Sequence, residues 1–317
     1  MKILVSGSRG FIGASLVPHL ASQGHQVSRL MRGRQASAPD VAWDPARGAL
    51  EAAALEGFDA VIHLAGESIA DGRWTRARKA AIRQSRVQGT RLLCGALAHL
   101  TRPPQVVVCA SAVGYYGSRG EERLTETSAS GEGFLAEVCR AWEAAADPAR
   151  TRGIRVVHLR TGMVLHPSGG ALAKMLPIFR AGLGGTIGSG RQYWSWIALD
   201  DLIGAMAHAL TAQTLRGPVN AVSPQPLTNA EFTRALGRAL RRPTVFPLPA
   251  FAARLLFGEM VGELLLASAR VEPAALLASG YAFRCPDLGR ALAALLQPAQ
   301  RAQPQPKAGV GVRRIER

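Results

Sequence analysis

Seven residues near the start of the chain constrain its fold more than any others. Gly7-Ser8-Arg9-Gly10-Phe11-Ile12-Gly13 is a G-x-x-G-x-x-G run. A short apolar strand over residues 3–6 precedes it, and a helical pattern over 11–22, ended by Gly24, follows it. Each glycine has its own reason to be there. Gly7 permits a tight turn, Gly10 lets backbone approach a pyrophosphate, and Gly13 lets the helix lie close on the strand. The start of the helix then offers free N–H groups and a positive dipole end to phosphates. A glycine pattern alone is weak evidence; its place at the head of a strand–turn–helix unit makes this one specific.

The same alternation continues. Strand patterns cover 26–31, 60–64, 105–110 and 155–160, with helical patterns over 74–99 and 134–146 between them. Such spacing predicts an α/β fold, a Rossmann-type doubly wound parallel sheet with right-handed crossovers. Beyond residue 165 the spacing turns irregular. Glycine-rich loops at 167–170 and 182–190 lead to a helix over 200–212 and a strand over 218–222. A further helix over 228–240 opens on a capping box, Thr228 to Glu231. The expected organisation is a dinucleotide-binding core over 1–165 and core strands interleaved with a substrate lobe over 166–248. A small helical C-terminal domain over 249–296 and a disordered basic tail over 297–317 complete it.

The end of the second strand selects the cofactor. NAD enzymes usually place an acid there, about 20 residues on, for the ribose 2′-hydroxyl. This chain places Met31-Arg32 there, has Arg34 just beyond, and has no acid between Gly13 and Asp40. A guanidinium pairs with a 2′-phosphate through two parallel hydrogen bonds. NADP(H) is therefore favoured over NAD(H).

Two further strings match in order: Val61-Ile62-His63-Leu64-Ala65-Gly66, and Ala110-Ser111-Ala112-Val113-Gly114-Tyr115-Tyr116-Gly117 after the middle strand. With the glycine run, they resemble the extended short-chain dehydrogenase/reductase superfamily, the NAD(P)-dependent epimerase/dehydratase group. Longer strings are similar to an atypical subgroup, epimerase family proteins of the SDR39U1 type. They include Ala65-Gly66-Glu67-Ser68-Ile69, Trp194-Ser195-Trp196-Ile197 and Phe257-Gly258-Glu259-Met260. The resemblance covers about residues 1–296, and 249–296 resembles that subgroup's small C-terminal domain. It implies that Met31 and Arg32 flank the adenosine ribose, that Leu64 and Ala65 line the adenine and ribose side, and that Gly66 also meets the cofactor. It also implies that Arg86 approaches the cofactor and that Val164 borders the nicotinamide. Core packing is the competing account for Leu64, Ala65 and Val164.

The resemblance breaks at the catalytic pair. The superfamily uses Tyr-x-x-x-Lys, in which the Tyr is the acid/base and the Lys supports it from one helical turn away. Four residues beyond Tyr115, Tyr116, Tyr193 and Tyr281 stand Arg119, Gly120, Ile197 and Cys285. No such pair exists. Tyr116 is the expected replacement donor, Tyr115 the next, with Ser111 on a substrate carbonyl and Glu67 in the loop after a strand. Against these stand a packed aromatic corner for the tyrosines and an ion pair with a nearby arginine for Glu67. Trp194 and Trp196 fit a pocket wall or the core. Two functions follow: an NADP(H)-dependent oxidoreductase or epimerase acting on a carbonyl or sugar-nucleotide-like small molecule, or a catalytically silent NADP(H)-binding regulator or scaffold.

Charge raises a third class. Thirty-eight Lys+Arg against 22 Asp+Glu give a net +16, which suggests a polyanionic partner. Only four of the cations are lysine, Lys2, Lys79, Lys174 and Lys307, so a general arginine bias explains the excess. No nucleic-acid motif and no uncharged apolar run of membrane length accompany it, so neither partner is expected. A homodimer is left open. Cys94, Cys109, Cys139 and Cys285 are scattered, which indicates neither a metal site nor a disulfide framework. With no signal-peptide layout at the N-terminus, a cytoplasmic protein is expected.

Overall fold

The computed structural model describes residues 1–33 and 38–296. Arg34 and the tail expected over 297–317 lie outside the described residues. The chain builds one eight-stranded sheet from β1 (Lys2–Ser6), β2 (Gln26–Arg32), β3 (Val41–Asp44), β4 (Ala49–Leu50), β5 (Ala60–His63), β6 (Val106–Ala112), β7 (Arg155–Thr161) and β8 (Gly217–Ala221). The spatial order is β8-β7-β6-β5-β1-β2-β3-β4. Every pairing is parallel except that of β3 with β4. The α/β doubly wound sheet expected from the alternation is present, widened by β3 and β4. Those two strands are too short to give a clear period, though Val41 and Trp43 face inward.

Strand order reverses between β1 and β5, and in such sheets the ligand crevice opens at the carboxyl ends of the strands flanking the reversal. The pleat of β1 divides the core. Ile3 and Val5 pack with Leu16 and Leu20 of α1 (Gly13–Ser22), while Leu4 faces Leu93 and Leu97 of α2 (Arg76–Ala98). Helix α1 begins at Gly13, two residues later than its pattern suggested, so Phe11 and Ile12 belong to the turn. Thr75 caps α2 by accepting from the Arg78 N–H. Next come α3 (Phe134–Ala144), α4 (Gly170–Arg180), α5 (Leu199–Thr211) and α6 (Asn229–Leu240). The capping box on α6 is formed: the Thr228 hydroxyl accepts from the Glu231 N–H, and Glu231 accepts from the Thr228 N–H at 2.8 Å.

A further apolar cluster lies beyond the sheet. Leu172, Leu176 and Phe179 of α4 meet Phe232 and Leu236 of α6 there. Trp194 and Trp196 belong to this cluster and are buried, so they serve as core. Helices α7 (Ala250–Phe257) and α8 (Met260–Leu264) follow, and α9 (Leu288–Leu296) packs on α6. Helix α3 starts at Gly133, which offers no capping side chain. Glu263 of α8 caps it instead, accepting from the Phe134 and Leu135 N–H groups at 2.8 and 2.7 Å.

Candidate functional site

The glycine turn lies at the carboxyl end of β1, against the start of the loop after β5. Gly7 has φ +67°, and a Cβ there would stand 2.8 Å from the carbonyl carbon of Leu64. A Cβ on Gly13 would overlap the Gly7 carbonyl oxygen, so α1 packs as tightly as backbone allows. At Gly10 a Cβ would meet only the Gly7 oxygen, at 3.2 Å, and otherwise project into open space. Open space above a helix N-terminus, where N–H groups are unpaired, could hold an anion such as a diphosphate. Ser8 is buried and its hydroxyl points to the Met31 sulfur at 4.0 Å, while Arg9 is exposed. Phe11 lies against Gly169 and Gly170, just beyond Val164. The glycine turn thus meets Leu64 and Ala65 on one side and Met31, through Ser8, on another, while Phe11 reaches the Gly169-Gly170 turn beside Val164. Ala65 belongs to the buried cluster on the α2 side of the sheet, and Leu64 and Val164 pack against the cluster on the α1 side.

A buried polar chain braces this turn. The Ser6 hydroxyl oxygen accepts from the Leu64 and Ala65 N–H groups at 3.0 and 3.2 Å, so its proton goes to His63 Nδ1 at 2.6 Å. His63 then donates from Nε2 to Thr90 Oγ1 at 3.1 Å, which also accepts from Trp142 Nε1 at 2.9 Å. Burial pushes the His63 pKa down to about 4, which keeps the ring neutral. The chain ties β1 and β5 to α2 and α3.

Charge gathers at the mouth of the crevice. Arg32, at the end of β2, pairs with Glu67 at 3.5 Å, and Arg78 of α2 pairs with the other Glu67 oxygen at 3.5 Å. Arg86 lies against Gly66 and stacks on the Trp142 ring, 5.0 Å from its centroid. Its guanidinium makes one hydrogen bond, to the Ile82 carbonyl at 3.1 Å, and its burial lowers its pKa. Its other donors have no partner among the described residues.

The ends of β6, β7 and β8 hold a second, closed cluster. Arg160 of β7 makes a bidentate pair with Glu143 of α3, both bonds at 2.8 Å. Burial opposes the Arg160 charge, but Glu143 outweighs it and raises the pKa above its ordinary value. The Ser111 hydroxyl donates to Glu143 at 2.7 Å. Tyr116 is fully buried; its hydroxyl donates to Asn220 Oδ1 at 2.7 Å and accepts from Arg160 at 3.0 Å. Burial raises its pKa. Tyr115 is half-buried, with the Arg160 guanidinium 3.4 Å from its ring centroid. No partner for its hydroxyl appears among the described residues. Glu67 belongs to the other cluster; no hydrogen bond joins it to Glu143 or Arg160 among the described residues.

Sequence patterns alone did not single out His63, Glu143, Arg160 or Asn220. The signal was available in part: His63, His158 and Arg160 are polar residues inside otherwise apolar strand runs, where a buried polar group requires a partner. The partners of His63 and Arg160 lie up to 57 residues away in sequence, and no local pattern names them.

Residues 3–221 match the NAD dependent epimerase/dehydratase family, and 248–295 match a domain of unknown function, DUF1731. Epimerase family protein MT2273 of Mycobacterium tuberculosis is 43% identical over 290 residues, 92% of this chain and 96% of that protein. Human epimerase family protein SDR39U1 is 38% identical over 297 residues, covering 92% and 98%. The crystal structure of human SDR39U1 (isoform 2) with NADPH superposes with a TM-score of 0.84 at 37% identity, covering 93% of this chain and 99% of that one. A Thermus thermophilus UDP-glucose 4-epimerase complex with NAD shares the fold at a TM-score of 0.71 and 22% identity, covering 93% and 97%.

Proposed function

This chain belongs to the NAD dependent epimerase/dehydratase family, and from that premise we propose that it is an NADP(H)-binding oxidoreductase or epimerase acting on a small carbonyl or sugar-nucleotide-like substrate. One observation carries the cofactor assignment: Arg32 extends, 54% exposed, from the end of β2, whose Met31 meets Ser8 of the glycine turn. The NADPH held by the human relative supports it. The residues present fit the group. Loop N–H groups and the α1 N-terminus would hold the diphosphate, Arg32 the 2′-phosphate, and Arg86 has donors to spare. The nicotinamide, when bound, supplies or accepts hydride.

The proton source in this reading is Tyr115. Its ring is fixed by Arg160, and its hydroxyl is free among the described residues, whereas the hydroxyls of Tyr116 and Ser111 are engaged inside the protein. Those engaged hydroxyls, with the absent Tyr-x-x-x-Lys, favour a second reading, a silent NADP(H)-binding regulator. The buried thiols Cys94, Cys109 and Cys139 are free, which supports a cytoplasmic setting. We assign residues 249–296 to the substrate side, on the hold of Glu263 on α3.

Arg32→Asp should weaken NADPH binding about tenfold or more, because a charged hydrogen bond contributes roughly 1.5–3 kcal/mol, with little change for NADH. Equal losses for both cofactors would sink the assignment. NADPH oxidation against a panel of aldehydes, ketones and quinones separates the two readings. Turnover that disappears in Tyr115→Phe and persists in Tyr116→Phe supports Tyr115 as donor. Tight binding with no turnover across the panel puts the regulator ahead.

A further inference from the structure

The ion pair at the crevice mouth is asymmetric. Glu67 stands between Arg32 and Arg78, 3.5 Å from each. Arg78 has a second anchor, the Ser68 carbonyl oxygen, and sits on the first turn of α2 with a quarter of its side chain exposed. Arg32 has Glu67 as its one ion-pair partner among the described residues. The Glu67 backbone is pinned, its N–H donating to Ser85 Oγ at 3.1 Å, so only its side chain is free to turn. Its carboxylate therefore takes up one N–H of Arg32 that a phosphate would otherwise use.

We propose that Glu67 is a specificity-determining residue: an internal anion that holds Arg32 until a 2′-phosphate takes its place, after which Arg78 keeps it neutralised. The proposal rests on the reading of Arg32 given above. Geometry decides the exchange. Each guanidinium presents one N–H to Glu67, at a long 3.5 Å, whereas a phosphate oxygen pair accepts two parallel N–H bonds from Arg32 at shorter range. A carboxylate left beside a phosphate dianion is repelled unless a cation remains on it. Arg78 is that cation, since its Ser68 anchor keeps it in place when Arg32 turns away. Glu67 thus limits NADPH affinity and leaves NADH, which lacks the phosphate, almost untouched.

The test is direct titration of the protein with NADPH and NADH at fixed ionic strength. Competition by 2′,5′-ADP against 5′-AMP isolates the phosphate. Glu67→Gln should tighten NADPH by about three- to tenfold and change NADH within about twofold, the range of a partly exposed charge pair. Arg78→Met should weaken NADPH by a similar factor, because Glu67 then repels the phosphate. In the double variant that loss should vanish, since no carboxylate remains. The sign reversal and its rescue are not effects of lost stability. An unchanged NADPH/NADH ratio in Glu67→Gln, or an Arg78→Met loss that persists in the double variant, overturns the proposal. A wild-type protein that prefers NADH overturns the reading of Arg32 first, and this proposal with it.

Discussion

The two halves of the crevice edge use one pair of side chains to opposite ends. Beside β2 and β5, Arg32 and Glu67 pair at 3.5 Å with 54% and 37% of their side chains exposed. Beside β7, Arg160 and Glu143 pair at 2.8 Å with 3% and 13% exposed. The first pair is loose, wet and exchangeable. The second is bidentate, dry and tied to Ser111 and Tyr116 as well. Burial, not residue type, separates a ligand-ready charge from a structural one. The half beside β2 keeps donors in reserve on Arg32 and Arg86; the half beside β7 has turned its polar groups inward and leaves Tyr115 half-buried.

The largest test of this contrast is Glu143→Ala. It strands the Arg160 guanidinium in the core, with Tyr116 as its remaining hydrogen-bond partner. Removing one member of a buried pair costs about 3–5 kcal/mol. Urea unfolding at pH 7 measures it, and a loss below about 1 kcal/mol would mean that water reaches the cluster. Replacing both partners, as Glu143→Leu with Arg160→Met, should recover most of the loss, because no charge is then left buried.

Next in size is a pH effect from the strut beneath the glycine turn. The His63 pKa is about 4 in the folded chain against 6.5 when unfolded. Below pH 6.5 the unfolded chain binds a proton that the folded chain refuses, so stability falls as pH drops from 6.5 to about 4. The full window corresponds to about 3 kcal/mol. His158 is also buried with a lowered pKa and adds to the same trend. His63→Gln should flatten the stability profile across that window. A profile as steep as wild type would show that His63 is not the group that titrates.

Legibility in the sequence follows the same division. The strand–turn–helix unit around the glycine run and the missing Tyr-x-x-x-Lys are each local in the chain, so local reading found them. The capping box on α6 was legible for that cause too. Glu143 was not, because its role depends on a strand residue 17 positions later and a serine 32 earlier. Tyr116 looked like the better donor because chain position does not report burial. Asn220 takes its hydroxyl from 104 residues away. The strands β3 and β4 escaped notice because four and two residues carry too little period to stand apart from loop.

Gly7→Ala ranks third. It puts a Cβ 2.8 Å from the Leu64 carbonyl carbon at a φ of +67°, at a cost of about 1–3 kcal/mol. It should also weaken NADPH and NADH binding alike, since it deforms the shared diphosphate cradle and not the 2′-phosphate site. A selective loss of NADPH would mean that the turn lies against the 2′-phosphate and not the diphosphate.

The smallest effect is the most discriminating. Glu67→Ala removes the same chemical partner from an arginine as Glu143→Ala does. Water can replace the lost oxygen at Arg32, and Arg78 keeps the Ser68 carbonyl. The change in unfolding free energy should therefore stay within about 0.5 kcal/mol, the usual scale of a partly exposed pair. Two glutamates, each removed from an arginine pair, should thus differ several-fold in cost purely through the water around them. Equal costs would mean that the crevice mouth is as closed as the cluster beside β7. Arg32 would then hold no charge in reserve for a phosphate.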